Sequence, residues 1–327
     1  MAESPLSLTY DDISTVVARS GLGLSYTAAN WSTQQKADIN RAIDKGYSDF
    51  LRAHDWRFLK KFTTITTTDP YTTGTITLTD TDATVTLAVG TWPSWAAQGS
   101  LYYNGREYSI ASRTDDNNIE LDAAWADDTV IGASYALRRV AYDLPDDFGQ
   151  PNSWFTYDAS TSRRPINRVA AGDLLAKRSG NTTTGYPFEA AIRTKTAVFD
   201  GTSGQRFEVL FNYLADGAYT LGYSYYILSS TRIRNETGEL TLYPLGGQVH
   251  AQAILDCCIA AARYLFDDVP LKDYKENIQV AISDSILNDE HLAPTNLGYN
   301  ADSSDRILTN WRDDDNCFVT VNGVIPD

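Results

Sequence analysis

The chain has 327 residues, 43% of them hydrophobic, which suffices for a sizeable core and about two domains. Its 27 Lys and Arg against 42 Asp and Glu leave a net charge of −15 with histidine neutral. So acidic a chain gains little from counterion release, which argues against a conventional duplex-gripping surface and against attraction to an anionic membrane.

No stretch approaches the roughly 20 apolar residues expected of a transmembrane helix. Residues 1–12 lack the basic and apolar regions of a signal peptide. Cys257 and Cys258 are adjacent in a helical pattern and Cys317 is distant, so no disulfide framework is expected and a reducing cytoplasm suits the chain.

Thr9 with Asp12 is close to a capping box, and Ile13, Val16 and Val17 give the following helix an apolar side. Gly21 and Gly23 end it. Ser32 and Gln35 form a second capping box. Ile39, Ile43, Tyr47, Phe50, Leu51 and His54 then recur at helical spacing, which predicts a helix over 33–54. From 62 to 140 the composition shifts to Thr, Val and turn residues. Alternation predicts strands at 75–79, 84–87, 100–103, 107–111, 118–121 and 134–140, with Asn104-Gly105 as a hairpin turn. Short strands at this spacing predict a small all-β sandwich or barrel.

A second β-rich stretch runs from about 143 to 245, with its best strands at 206–211 and 219–228. Tyr219, Leu221, Tyr223 and Tyr225 share one face of the latter. Residues 163–172 read as irregular and 180–185 as a loop. Residues 248–266 are apolar nearly all round, as in a helix buried on several sides. After Pro270, residues Leu271, Tyr274, Ile278, Ala281, Ile282 and Ile286 predict a one-sided amphipathic helix. Beyond Leu292 the periodicity stops, and isolated apolar residues stand among Asn, Asp and Ser. The expected class is α+β: a helical bundle from N- and C-terminal helices (1–62 and 247–292), with inserted β-sandwich or barrel domains. These are a small all-β insert (63–142) and a second β-rich region (143–246), and an extended C-terminal arm (293–327) completes the chain.

Few patterns suggest chemistry. His54, His250 and His291 belong to no metal-binding spacing and read as structural. There is no GxSxG elbow, no base beside the cysteines and no phosphate-cradling glycine loop. Asp80-Thr81-Asp82 and Asp313-Asp314-Asp315 lack the glycine and terminal glutamate of a calcium loop, so they read as solvated loop acids. Neither a cofactor nor a metal is expected. Arg163-Arg164 with Arg168 is the basic cluster of note, suited to salt bridges with an acidic neighbour or to a nucleic-acid contact. Trp92, Trp95 and Trp125 suit either the packing of the β insert or a surface that stacks on sugars or meets a tail component.

Taken in order, these segments resemble the adaptor proteins of tailed bacteriophages, also called head–tail connector or head-completion proteins. The resemblance is carried by Ile39-Asn40-Arg41-Ala42 with Asp55-Trp56-Arg57-Phe58, and by Gly74–Thr79, Thr91-Trp92-Pro93-Ser94 and Tyr103–Tyr108 in the insert. Ile119-Glu120-Leu121-Asp122, Tyr142–Phe148, Tyr219–Tyr225 and Leu297-Gly298-Tyr299-Asn300 add to it. It implies a non-enzymatic virion protein of the phage neck, made in the bacterial cytoplasm. That protein forms a cyclic ring, twelve-fold in most of the family, below the portal. Its arm would bind the portal protein through Leu297, Tyr299, Ile307, Trp311 and Phe318, and a downstream neck or tail protein would dock on the far side. Genomic DNA would pass through without sequence-specific binding, and no membrane is involved. Another tail or spike component with a carbohydrate-binding β module is the alternative.

Overall fold

The structure, a computed structural model, describes residues 7–159, 161, 163–195, 206–227 and 242–291, with His291 described by its backbone alone. In chain order, helices α1 (Tyr10–Leu22) and α2 (Thr33–Arg52) come first. Strands follow: β1 (Lys60–Thr66), β2 (Ile76–Leu78), β3 (Thr84–Leu87), β4 (Gly99–Tyr103), β5 (Arg106–Arg113), β6 (Asn118–Leu121), β7 (Val130–Ala133) and β8 (Ala136–Arg139). Next are β9 (Ala141–Asp143), β10 (Phe148–Pro151), β11 (Thr156–Tyr157), β12 (Asn167–Arg168), helix α3 (Ala171–Arg178), β13 (Glu189–Thr194), β14 (Phe207–Asn212) and β15 (Thr220–Ile227). Helices α4 (Gly247–Phe266) and α5 (Leu271–His291) close the described chain. The protein is therefore mixed α+β. It divides into two compact units, one from Met1–Leu59 with Ser229–Asp327 and the other Lys60–Leu228.

In the helical unit both capping boxes form. Thr9 and Asp12 bond each other's backbone N–H, as do Ser32 and Gln35. Gly23 ends α1 in the left-handed conformation, φ 63°. Helix α4 packs against α1, α2 and α5, which accounts for its apolar girth. By length and composition α4 is a candidate membrane span, contrary to the sequence expectation. Ile254, Cys257, Cys258, Ala261 and Ala262 are nonetheless buried by its neighbours. Two glycines set the spacing of these helices. A Cβ at Gly46 would lie 2.5 Å from Cys257 O and Cys258 Cα, and one at Gly21 would lie 2.5 Å from Ala262 Cβ. Burial pushes the Cys257 thiol up to about 12 and that of Cys258 well above its ordinary value, so neither is a thiolate at neutral pH.

Among the described residues the strand unit holds three sheets. Strands β2–β8 form a curled antiparallel half-barrel in the order β7-β2-β3-β6-β5-β4-β8. Asn104 and Gly105 join β4 to β5 with φ 47° and 78°, the paired positive values of a type I′ hairpin. The strand predicted at 134–140 forms as β8, shorter at both ends, whereas β7 just before it, on the opposite edge of the sheet, has no counterpart among the predicted strands. The inward-turned Tyr135, whose hydroxyl donates to Thr73 O at 2.8 Å, marks the crossover, and Gly132, at φ 71°, lies within β7 where its pairing with β2 is irregular.

The remaining strands make two sheets, β1-β15-β10 with β11 beside β15, and β12-β13-β14-β9. Tyr142, Phe148, Phe155, Ile166, Val209, Phe211, Leu221, Tyr223 and Tyr225 form one core cluster drawn from both. Residues 163–172 are less irregular than their composition suggests. Asn167 and Arg168 pair in parallel with Glu189 and Ala190, and α3 begins at Ala171. This helix buries Leu174 alone, too little to leave a periodic signal.

Candidate functional site

The residues expected to carry portal binding, Leu297, Tyr299, Ile307, Trp311 and Phe318, lie outside the described residues. So does the side chain of His291. What the structure places is the end of the helix that leads to them.

The last two turns of α5 carry a buried polar cluster. Asp289, 2% exposed, accepts the Arg57 N–H through both oxygens at 3.3 Å and stands 3.4 Å from His54 Nε2. One turn earlier, Ser285 Oγ lies 3.2 Å from His250 Nδ1. Both imidazoles rest against the Trp56 ring at 5.0 Å, with Phe50 and Phe58 completing the cage. Serine, histidine and aspartate together invite comparison with a nucleophilic triad. The carboxylate, however, is matched to His54 rather than to His250, and Ser285, His250 and Asp289 are all buried. A substrate has no approach, so the cluster acts to pin α5 on the segment joining α2 to β1.

Burial holds the His250 pKa below its ordinary value; the repulsion of His54 adds to this and Asp289 opposes it. The sign of the linkage follows. With the folded pKa depressed, the unfolded chain binds the proton first as pH falls, so the contribution is complete above about pH 6.5 and is lost on acidification. The denaturant midpoint of the helical unit should fall between about pH 7 and pH 5, and the fall should be smaller in His250→Phe. Equal pH dependence in the two proteins would remove His250 from this role.

Trp92 and Trp125 do not form a surface. They are 1% and 5% exposed in the core of the half-barrel, and Trp95 is partly buried against the same core. The indole N–H of Trp92 donates to Asn117 O at 2.9 Å and that of Trp125 to Asp128 O at 3.0 Å, so both polar handles are spent on the module's own loops. Tyr71 and Tyr135 flank Trp92, and Tyr103 and Tyr108 flank Trp125. Of the two readings open for these rings, core packing therefore holds for Trp92 and Trp125, and the sugar-stacking or tail-facing surface is corrected for those two, while Trp95 stays partly exposed beside them.

Exposed rings occur elsewhere. Phe62 is 80% exposed in β1, opposite Ser224, and Trp154 is 54% exposed beside the inward Phe155. At residues 157–219 a second group gathers. Tyr186 packs on Tyr157 and Tyr219, with ring centroids 6.3 and 4.6 Å away, and the Arg163 guanidinium lies 3.7 Å from the centre of its ring. Tyr157 donates to Pro187 O and Tyr219 to Asp216, which fixes both phenols. Tyr186 and Phe188 remain 38% and 43% exposed. Sequence reasoning missed these positions, since alternation marks a strand but not which aromatic faces outward. The one available signal was Arg163-Arg164, noted for charge and not for the ring beneath it.

Among the described residues, no group of three or more His, Cys, Asp or Glu is arranged to hold a metal ion. Several cations of the strand unit are matched to carboxylates: Lys177 to Glu189, Arg193 to Glu208 at 2.6 Å, Lys195 to Asp143 at 2.8 Å and Arg138 to Glu107 at 2.9 Å. The chain matches no family model, and no curated protein matches it.

Proposed function

We propose that this protein is a non-enzymatic connector of a tailed bacteriophage. It forms a closed ring in the neck of the virion, joins the portal to the tail and lines the channel through which DNA is packaged and ejected. The observation that carries the reading is the layout of the chain. Helices from both ends pack together around α4, and the β-rich segment Lys60–Leu228 is inserted between them. In that light the helices are a bundle, the two sheets with a shared core a β-sandwich, and the half-barrel its inserted module. The order of motifs named above supports the same assignment. So does the net charge of −15, because a like-charged lining keeps passing duplex from adhering. Each copy would meet the next head-to-tail, as a ring requires.

The arm from about Pro294 onward would dock on the portal. Trp and Tyr dominate such contacts, and separated apolar residues suit successive pockets on a partner. Truncation after Leu292 should leave a folded protein that no longer joins portal particles in negative-stain images, and Trp311→Ala should join them less. Unchanged binding of the truncated chain would sink the arm assignment. A stable two-fold dimer in the ultracentrifuge would count against the ring itself.

Exposed Phe62 and Trp154 keep one other reading in view, a tail or spike component with a carbohydrate-binding β module. Its rings would be these two, not Trp92 and Trp125. Specific glycan-array binding lost in Phe62→Ala would favour it.

A further inference from the structure

Charge is unevenly spread within the strand unit. Residues 160–195 hold seven Lys and Arg against two acids, on a chain whose net charge is −15. By contrast, no Lys or Arg occurs between Lys61 and Arg106, or between Arg113 and Arg138. Most of the half-barrel comes from those stretches, and its own cations are Arg106, Arg113, Arg138 and Arg139 in β5 and β8.

Geometry sharpens the contrast. Arg163, Arg164 and Arg168 are exposed on and before the edge strand β12. Arg163 is stacked on Tyr186. Phe188 is one strand away, its carbonyl accepting from the Asn167 N–H at 2.9 Å. Exposed arginine beside exposed aromatic rings is the composition of an interface anchor and not of an inert surface. At one end of the half-barrel, the turn between β2 and β3 is bonded to the loop after β6. Thr81 N–H donates to Trp125 O, Trp125 N–H to Asp82 O, and Asp80 N–H to Thr129 Oγ1. These bonds gather Asp80, Asp82, Asp122, Asp127 and Asp128 on one exposed edge.

We propose that Arg163, Arg164 and Arg168, with Tyr186 and Phe188, form the surface on which a second copy of this chain seats the acidic edge of its half-barrel. Charge complementarity selects the occupant, since the same unit presents both halves of the contact at different places. A contact between two different patches is heterologous, so it propagates from copy to copy. The inference rests on the ring reading only for closure of that chain of contacts.

The test is a charge swap in the full-length protein, followed by sedimentation velocity over a range of salt. The parent should associate weakly at low salt and less as salt is added, because pairs at an exposed rim are screened. The triple variant Arg163→Glu, Arg164→Glu, Arg168→Glu should associate about tenfold more weakly. Adding Asp80→Lys, Asp127→Lys and Asp128→Lys to the same chain should restore association. Far-UV circular dichroism checks folding, and Arg→Gln variants replace the reversals if these disturb it. The proposal is overturned if the parent shows no association, if the triple variant associates as tightly as the parent, or if the compensating changes fail to rescue. It is equally overturned if the arginines instead bind a labelled oligodeoxynucleotide and leave self-association unaffected. A successful charge swap with no closed ring on the portal leaves the contact standing and removes the ring.

Discussion

Gly46→Val should unfold or severely loosen the helical unit. An added Cβ would sit 2.5 Å from Cys257 O and Cys258 Cα and 2.6 Å from Cys258 N, all backbone atoms that no rotamer change can move aside. Helix propensity works the other way, since replacing a mid-helix glycine by alanine favours the helix by about 1 kcal/mol. Overpacking costs about 1–3 kcal/mol, and here α2 and α4 must separate along their closest line of contact. The steric effect therefore wins for alanine and exceeds several kcal/mol for valine, which adds β-branching. Gly21 offers a control. Its obstacle is the Ala262 Cβ, so Gly21→Ala should be destabilising alone and rescued by Ala262→Gly, whereas no side-chain deletion rescues Gly46→Ala. Thermal melts followed at 222 nm decide the matter. A Gly46→Val protein with an unchanged helical transition would show that the two helices are not held at this distance.

The sequence discloses this close approach only in part. Capping boxes at Thr9–Asp12 and Ser32–Gln35 are local, so they are legible, and the structure forms both. Strands β3 and β6 fall on the predicted 84–87 and 118–121 because alternation over a half-buried sheet is also local. Gly46 carries no such mark, since a glycine inside a helical pattern gives its reason only once the opposing backbone is in place. The buried polar face of α5 is hidden for a related cause. Tyr274, Ile278 and Ile282 define its apolar stripe, and Ser285 and Asp289 continue that stripe as polar residues. A periodicity count places them there but cannot supply His250 and Arg57 N–H as partners. The tryptophans show the limit of composition most clearly. Trp92, Trp95 and Trp125 and the exposed Trp154 are chemically alike, and only the fold turns two of the first three into core and the last to the surface.

Trp56→Ala should be the most damaging large-to-small change in the helical unit. The ring is fully buried, stacked 4.5 Å from Phe50 and 5.7 Å from Phe58, and met edge-on by His54 and His250. Its indole N–H donates to Phe50 O at 2.9 Å, which satisfies a carbonyl in the last turn of α2. Truncation of a buried tryptophan costs about 3–5 kcal/mol through lost transfer energy and the cavity left behind. That is a large share of the 5–15 kcal/mol typical of a whole domain. The cavity would also remove the wall that holds His54 toward Asp289 and His250 toward Ser285, so the pinning of α5 should weaken with it. Trp56→Phe separates the two contributions. It keeps a ring for Phe50 and Phe58 but loses the indole hydrogen bond, and should cost about 1–2 kcal/mol. Hydrogen exchange reports the consequence directly. Amides in the last turns of α5 should exchange much faster in Trp56→Ala than in Trp56→Phe, while those of β13 and β14 in the other unit keep their protection. Uniform loss across both units would mean that the two unfold together and that the cage does not act locally on α5.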